Sequence, residues 1–149
     1  MRLRSLTVVA VGLALGADAP KADEAAEGLK PFQGTWVLDS MEVNGVKADA
    51  DTLKKAGITM FVKDEQFTLK LGRGDLEGVL KLGPTKQPKA YDAKGTDPEG
   101  KTHESVGIYK IKGDTLTVCY VAAGKDRPTE FKADAGSKAV LQVFKRGKK

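Results

Sequence analysis

From Phe32 onward, apolar residues recur at every second position in short runs separated by tight-turn dipeptides, and this spacing constrains the fold more than any other feature. A period of two sends alternate side chains to opposite faces of a strand, one face turned to a core and the other to water. Gln66 to Leu71 places Phe67, Leu69 and Leu71 on one face and Gln66, Thr68 and Lys70 on the other. Ile58, Met60 and Val62 precede them in the same phase, with a reversal available at Asp64-Glu65, so 58–71 reads as a hairpin. Leu76, Leu80 and Leu82 alternate with Glu77 and Lys81, and Gly78 in mid-strand is expected to mark a bulge or a bend. Gly107 to Ile111, a turn at Gly113-Asp114 and Thr115 to Val121 form a second hairpin, with Leu116, Val118 and Tyr120 sharing a face. Ala139 to Lys145 supplies a final strand, and Asn44-Gly45 a turn after a first strand from Gly34 to about Met41.

One short stretch reads as helix. Asp49 can cap it, Leu53 points inward, Lys54 and Lys55 suit the negative end of its dipole and Gly57 closes it. Residues 83–100 form a polar connection with a short extended piece around Lys89 to Ala93. Seventeen glycines and 40% hydrophobic residues in 149 fit one domain of many short elements. The expected fold is mainly β, an antiparallel up-and-down barrel of about eight strands with one short helix, since closure removes exposed strand edges.

The first residues read as an address. Basic Arg2 and Arg4, an apolar run from Leu6 to Leu15 and small Gly16, Ala17 and Ala19 follow the order of a secretory signal. The run is about half the roughly 20 residues of a bilayer-spanning helix, so no membrane anchor is expected after cleavage. The expected divisions are a signal peptide at 1–19, cut after Gly16 or Ala19, a flexible linker at 20–30, disordered or loosely helical and with no apolar face wide enough to dock securely, and a barrel domain at 31–147. An extracytoplasmic location, periplasmic or secreted, follows.

The formal charge of +5 includes Arg2 and Arg4 and a terminal cluster of Lys145, Arg146, Lys148 and Lys149. The body between them is near neutral, and such a tail is ordinarily solvated, so nucleic acid is not expected as a partner. A single cysteine, Cys119, excludes an intramolecular disulfide.

Gly34-Thr35-Trp36, preceded by Phe32-Gln33, resembles the Gly-x-Trp opening of lipocalin-type barrels. In that family the tryptophan plugs one end of the barrel and a basic residue from the last strand stacks over it, which assigns structural roles to Gly34, Trp36 and Arg146 or Lys145. FQGTW (32–36), PTKQPKAYD (84–92), GIYKIKGDTLTVCY (107–120), GKDRPTEF (124–131) and LQVFKR (141–146) together resemble an uncharacterised family of paralogous lipocalin-like domains in planctomycete bacteria. The resemblance implies a fold and a bacterial extracytoplasmic setting, and carries no catalytic residue.

Chemistry is sparse. His103 is the sole histidine, beside Glu104, but neighbouring strand residues face opposite ways, so the pair is not expected to share a site. Cys119 sits between Val118 and Tyr120 with no base nearby and reads as a small strand residue. Asp92, Asp97 and Glu99 with Gly95 and Gly100 make an oxygen-rich loop whose spacing does not match an EF-hand, so a solvated turn is expected and no metal or cofactor. Arg127 in Lys125-Asp126-Arg127 is expected to be solvated or paired with Glu130. The barrel interior, and any small hydrophobic ligand in it, is assigned to Trp36, Phe67, Leu69, Leu80, Tyr109, Leu116, Val118 and Tyr120, with a filled or narrow interior favoured. The leading expectation is a non-enzymatic binding or interaction module for a small apolar ligand or envelope component. The alternatives are a small enzyme using His103 with a carboxylate and a structural envelope protein acting through its surface and basic tail.

Overall fold

The computed structural model describes residues 22–147, so the signal peptide expected at 1–19 lies outside the described residues. The chain runs α1 (Ala22–Leu29), a 3-10 turn (Lys30–Phe32), β1 (Gly34–Val43), β2 (Val46–Lys47), α2 (Ala50–Ala56), β3 (Thr59–Lys63), β4 (Gln66–Lys70), β5 (Asp75–Gly83), β6 (Ala90–Thr96), β7 (Thr102–Lys112), β8 (Thr115–Ala122) and β9 (Val140–Arg146). Neighbours in sequence pair antiparallel from β3 to β9, β1 pairs with β3, and β9 returns to β1 from Trp36↔Arg146 to Val43↔Val140. Eight strands thus close a barrel, and β2 is an extra ribbon on the far end of β1.

The alternation sorts side chains as the sequence predicts. Phe67, Leu80, Leu82, Tyr109, Leu116 and Val118 turn into the barrel with Trp36, Met60, Val62 and Phe144. The Asn44-Gly45 and Asp64-Glu65 reversals place Asn44 at φ 54° and Asp64 at φ 56°, left-handed conformations that short polar residues tolerate. In α2 the Asp49 carboxylate accepts from Thr52 N at 3.0 Å and Gly57 closes the helix at φ 60°.

Three expectations are corrected. In the 20–30 linker α1 fits the helical alternative, but Leu29 packs on the barrel core, so its described part docks, against expectation. The extended piece in 83–100 is a full barrel strand, β6, paired on both sides through Gly95. Gly78 marks no bulge, since pairing runs unbroken across Phe67↔Gly78↔Gly95; a Cβ there would lie 2.0 Å from Lys94 O, so the glycine permits close approach of two backbones. The irregularity in register falls in β1, between Leu38 and Ser40.

A second core lies outside the barrel. Ile108, Cys119 and Val121 point away from the interior and are covered by Ala133, Ala139 and Phe131 from the β8–β9 connection. Arg127 fastens this flap: it donates to Tyr91 O and Gly107 O at 2.8 Å each and to Asp92 Oδ1 at 2.7 Å. Its partner is therefore Asp92 on β6 and not the expected Glu130, which pairs with Lys132.

Candidate functional site

The barrel is closed at one end and hollow towards the other. At the closed end Trp36 is fully buried and donates from Nε1 to Phe32 O at 2.8 Å. Arg146 covers it, with its guanidinium carbon 4.2 Å from the ring centroid, and donates to Gln33 O and Pro31 O at 2.9 Å each. The last strand thereby pins the first turn, and Gly34, at φ 108°, passes beside Arg146. Lys145 takes another role, donating to Thr115 Oγ1 at 3.0 Å. Two cations of the basic tail are thus engaged by the barrel itself.

Above this floor lies a cavity of about 520 Å³, within the range usual for small-ligand pockets. The expected filled or narrow interior is therefore corrected. Phe32, Met60 and Phe144 form its base, and Phe67, Leu69, Leu80 and Val118 its apolar wall. Of the residues assigned to the interior from sequence, Phe67, Leu69, Leu80, Val118 and Tyr120 line the cavity. Trp36, Tyr109 and Leu116 do not: they are packed into the floor, with the Tyr109 ring edge-on to Phe32 at 4.9 Å. Small residues make the space, since Ala93, Gly95, Ser105 and Ala122 face inward where larger side chains would meet.

Tyr91 was missed, because β6 read as a connection. It lines the cavity with Tyr120, and the two flank Gly107 in one row across β6, β7 and β8. A Cβ on Gly107 would come within 2.7 Å of Tyr91 Cε1 and 2.8 Å of Tyr120 Cβ, so the glycine lets the Tyr91 ring lie over it beside Tyr120. Burial pushes the Tyr91 phenol well above its ordinary pKa, with Tyr120 and Cys119 adding to the rise and Arg127 opposing it. Burial also raises Tyr120, and pushes Tyr109 up to about 12. All three phenols are neutral hydrogen-bond donors across the ordinary pH range.

Charge gathers at the mouth, where Arg73, Asp97, His103, Glu104 and Lys138 line the opening. His103 finds its carboxylate six residues back, across the β6–β7 turn: Nε2 is 2.8 Å from Asp97 Oδ2. The adjacent Glu104 turns to Lys94 at 3.3 Å. Asp97 Oδ1 accepts from Glu99 N at 3.0 Å and Lys101 N at 2.9 Å, which fixes its carboxylate. The His103 bond, then that from Lys101, holds the Asp97 carboxyl down to about 2. The signal for this pair was the short Thr96-to-Thr102 reversal, which brings the ends of two strands together.

The acidic loop does not converge on a cation. Asp92 pairs with Arg127, Glu99 with Arg73 at 3.4 Å and Asp97 with His103. Among the described residues no group of three or more His, Cys, Asp and Glu side chains is placed to hold a metal. Cys119 is buried on the outer face and donates from Sγ to Lys132 O at 3.3 Å, and burial raises its pKa, so the thiol is poorly disposed to act as a nucleophile. Among the described residues no helix is long and apolar enough to cross a membrane.

No protein-family model and no curated protein matches this chain.

Proposed function

We propose that this chain is a non-enzymatic binding module that holds one small, largely apolar molecule inside its barrel. One observation supports it above the rest: a cavity of about 520 Å³, apolar along its wall and closed at its base by Phe32 and Phe144, opens at one end of an otherwise packed barrel. Burying apolar ligand surface contributes about 25 cal/mol per Å², so a molecule of ten to fifteen carbons has enough driving force for micromolar binding. The setting we propose is extracytoplasmic, in a bacterium, with membership of the planctomycete lipocalin-like family. That part rests on Met1 to Ala19 and on the segments between Phe32 and Arg146 that resemble the family.

The test is titration of the full-length chain with the neutral dye N-phenyl-1-naphthylamine. Saturable enhancement at one dye per chain, abolished by Leu80→Trp, is the expected result; no saturable binding would sink the proposal. Mass measurement of the exported protein tests the setting, with a new N-terminus after Gly16 or Ala19 expected and an intact N-terminus contrary to it.

A second reading has one observation in its favour. The Asp97–His103 pair stands at the cavity mouth, with the imidazole half-exposed, so a bound ester could meet a histidine base held by a carboxylate. Turnover of short-chain nitrophenyl esters that vanishes in His103→Gln would favour an enzyme; equal rates in both proteins would dismiss it.

A further inference from the structure

We propose that the cavity selects a neutral, apolar molecule bearing a carbonyl oxygen, received by the hydroxyls of Tyr91 and Tyr120. This rests on the cavity being a ligand site and adds the chemistry of its ligand.

Tyr91 is 6% exposed, and no described group accepts a hydrogen bond from its hydroxyl or from that of Tyr120. A buried donor without an acceptor is costly, and donors sealed inside proteins are nearly always satisfied. Among the described residues no side-chain nitrogen or oxygen is both sealed and unpartnered, so the Tyr91 hydroxyl is not sealed, and the open space that Tyr91 lines is the cavity. Gly107 sets the arrangement, because only without a Cβ there can the Tyr91 ring edge lie beside the Tyr120 Cβ. The result is two phenolic donors at one level of an apolar chamber, a geometry that awaits an acceptor from the ligand.

The acceptor is a neutral oxygen. Of the side chains that line the cavity, the cationic Arg73 and Lys138 stand at the mouth, while Tyr91 lies six residues down β6 from Asp97, roughly 20 Å along the strand; Arg127, which reaches the Tyr91 carbonyl, does not line the cavity and is already paired with Asp92. A carboxylate carried to that depth would be desolvated with no cavity-lining cation to pair with, which costs far more than two phenolic hydrogen bonds return. A ketone or quinone oxygen has two lone pairs and little desolvation cost, and matches two donors.

The test uses 1-tetralone and tetralin, which share a carbon skeleton and differ in the carbonyl, titrated calorimetrically into the full-length protein and into Tyr91→Phe and Tyr120→Phe. We expect each substitution to weaken 1-tetralone about three- to tenfold, the effect of one net hydrogen bond, and to leave tetralin unchanged or tighter. Tetralin binding also shows that each variant is folded. Unchanged 1-tetralone affinity in both variants would overturn the carbonyl proposal and leave the cavity as a ligand site. Failure of both compounds to bind any of the three proteins would overturn the ligand site itself and this proposal with it.

Discussion

The guanidinium carbon of Arg146 stands 4.2 Å from the centre of the Trp36 ring, and the same side chain donates to the carbonyls of Pro31 and Gln33. One residue of the last strand thus holds both the plug and the turn that precedes it.

Arg146→Ala removes a partly desolvated cation–π contact and leaves two carbonyls without their donor, so it should cost about 2–4 kcal/mol in urea unfolding. Arg146→Lys should recover less than half of that loss, because an ammonium lacks the planar fork that reaches both oxygens while stacking. Recovery to the original stability would show that charge alone matters there.

Cavity and floor should respond oppositely to added volume. Leu69→Phe places its extra atoms in open space and should change stability by less than about 1 kcal/mol, while weakening dye binding. Leu116→Phe, at a fully buried floor position, should cost about 1–3 kcal/mol by overpacking. Urea midpoints for the two variants check the contrast.

Gly107→Ala introduces a methyl 2.5 Å from Cys119 O and between the Tyr91 ring edge and the Tyr120 Cβ. Overpacking of 1–3 kcal/mol is the minimum expected, because backbone lies in the way. Circular dichroism during urea titration measures the loss, and near-native stability would mean that the row of tyrosines is looser than described.

Asp97 ionises more readily folded, at about 2, than its ordinary value of 3.8. The unfolded chain therefore binds the proton more tightly, and the stabilisation, complete above about 4, is lost as pH falls towards 2. Asp97→Asn should flatten the melting temperature across that window relative to the unsubstituted protein. An identical acid slope in both proteins would assign the effect to other carboxyls.

Cys119 should react slowly with Ellman's reagent in the native state, since the flap fastened by Arg127 covers it. Arg127→Ala deletes three hydrogen bonds from a charged donor and should speed labelling at least tenfold. Equal rates would mean that the apolar contacts of Phe131 and Ala133 hold the flap unaided.

Much of the barrel was legible because burial on one face writes itself into alternation. Phe67, Leu69, Leu80 and Val118 are assigned to the barrel interior from period alone and line its cavity, and Asp49 and Gly57 bound α2 as their backbone chemistry requires. β6 was read as a connection because its inward residues after Tyr91 are Ala93 and Gly95, which carry almost no hydrophobic signal. Those small residues open the cavity, so the feature that hid the strand also makes the site, and Tyr91 was overlooked with it. Trp36, Tyr109 and Leu116 have the same inward parity as the wall residues, and parity cannot tell a packed floor from a hollow above it. The Asp97–His103 bond depends on how two strand ends fold around a turn, which no spacing rule encodes.

The barrel's seam joins its first strand to its last, with Trp36 facing Arg146 and Val43 facing Val140. A ribosome must deliver nearly the whole chain before this seam can be sewn, and until then β1 offers a raw edge along much of its length.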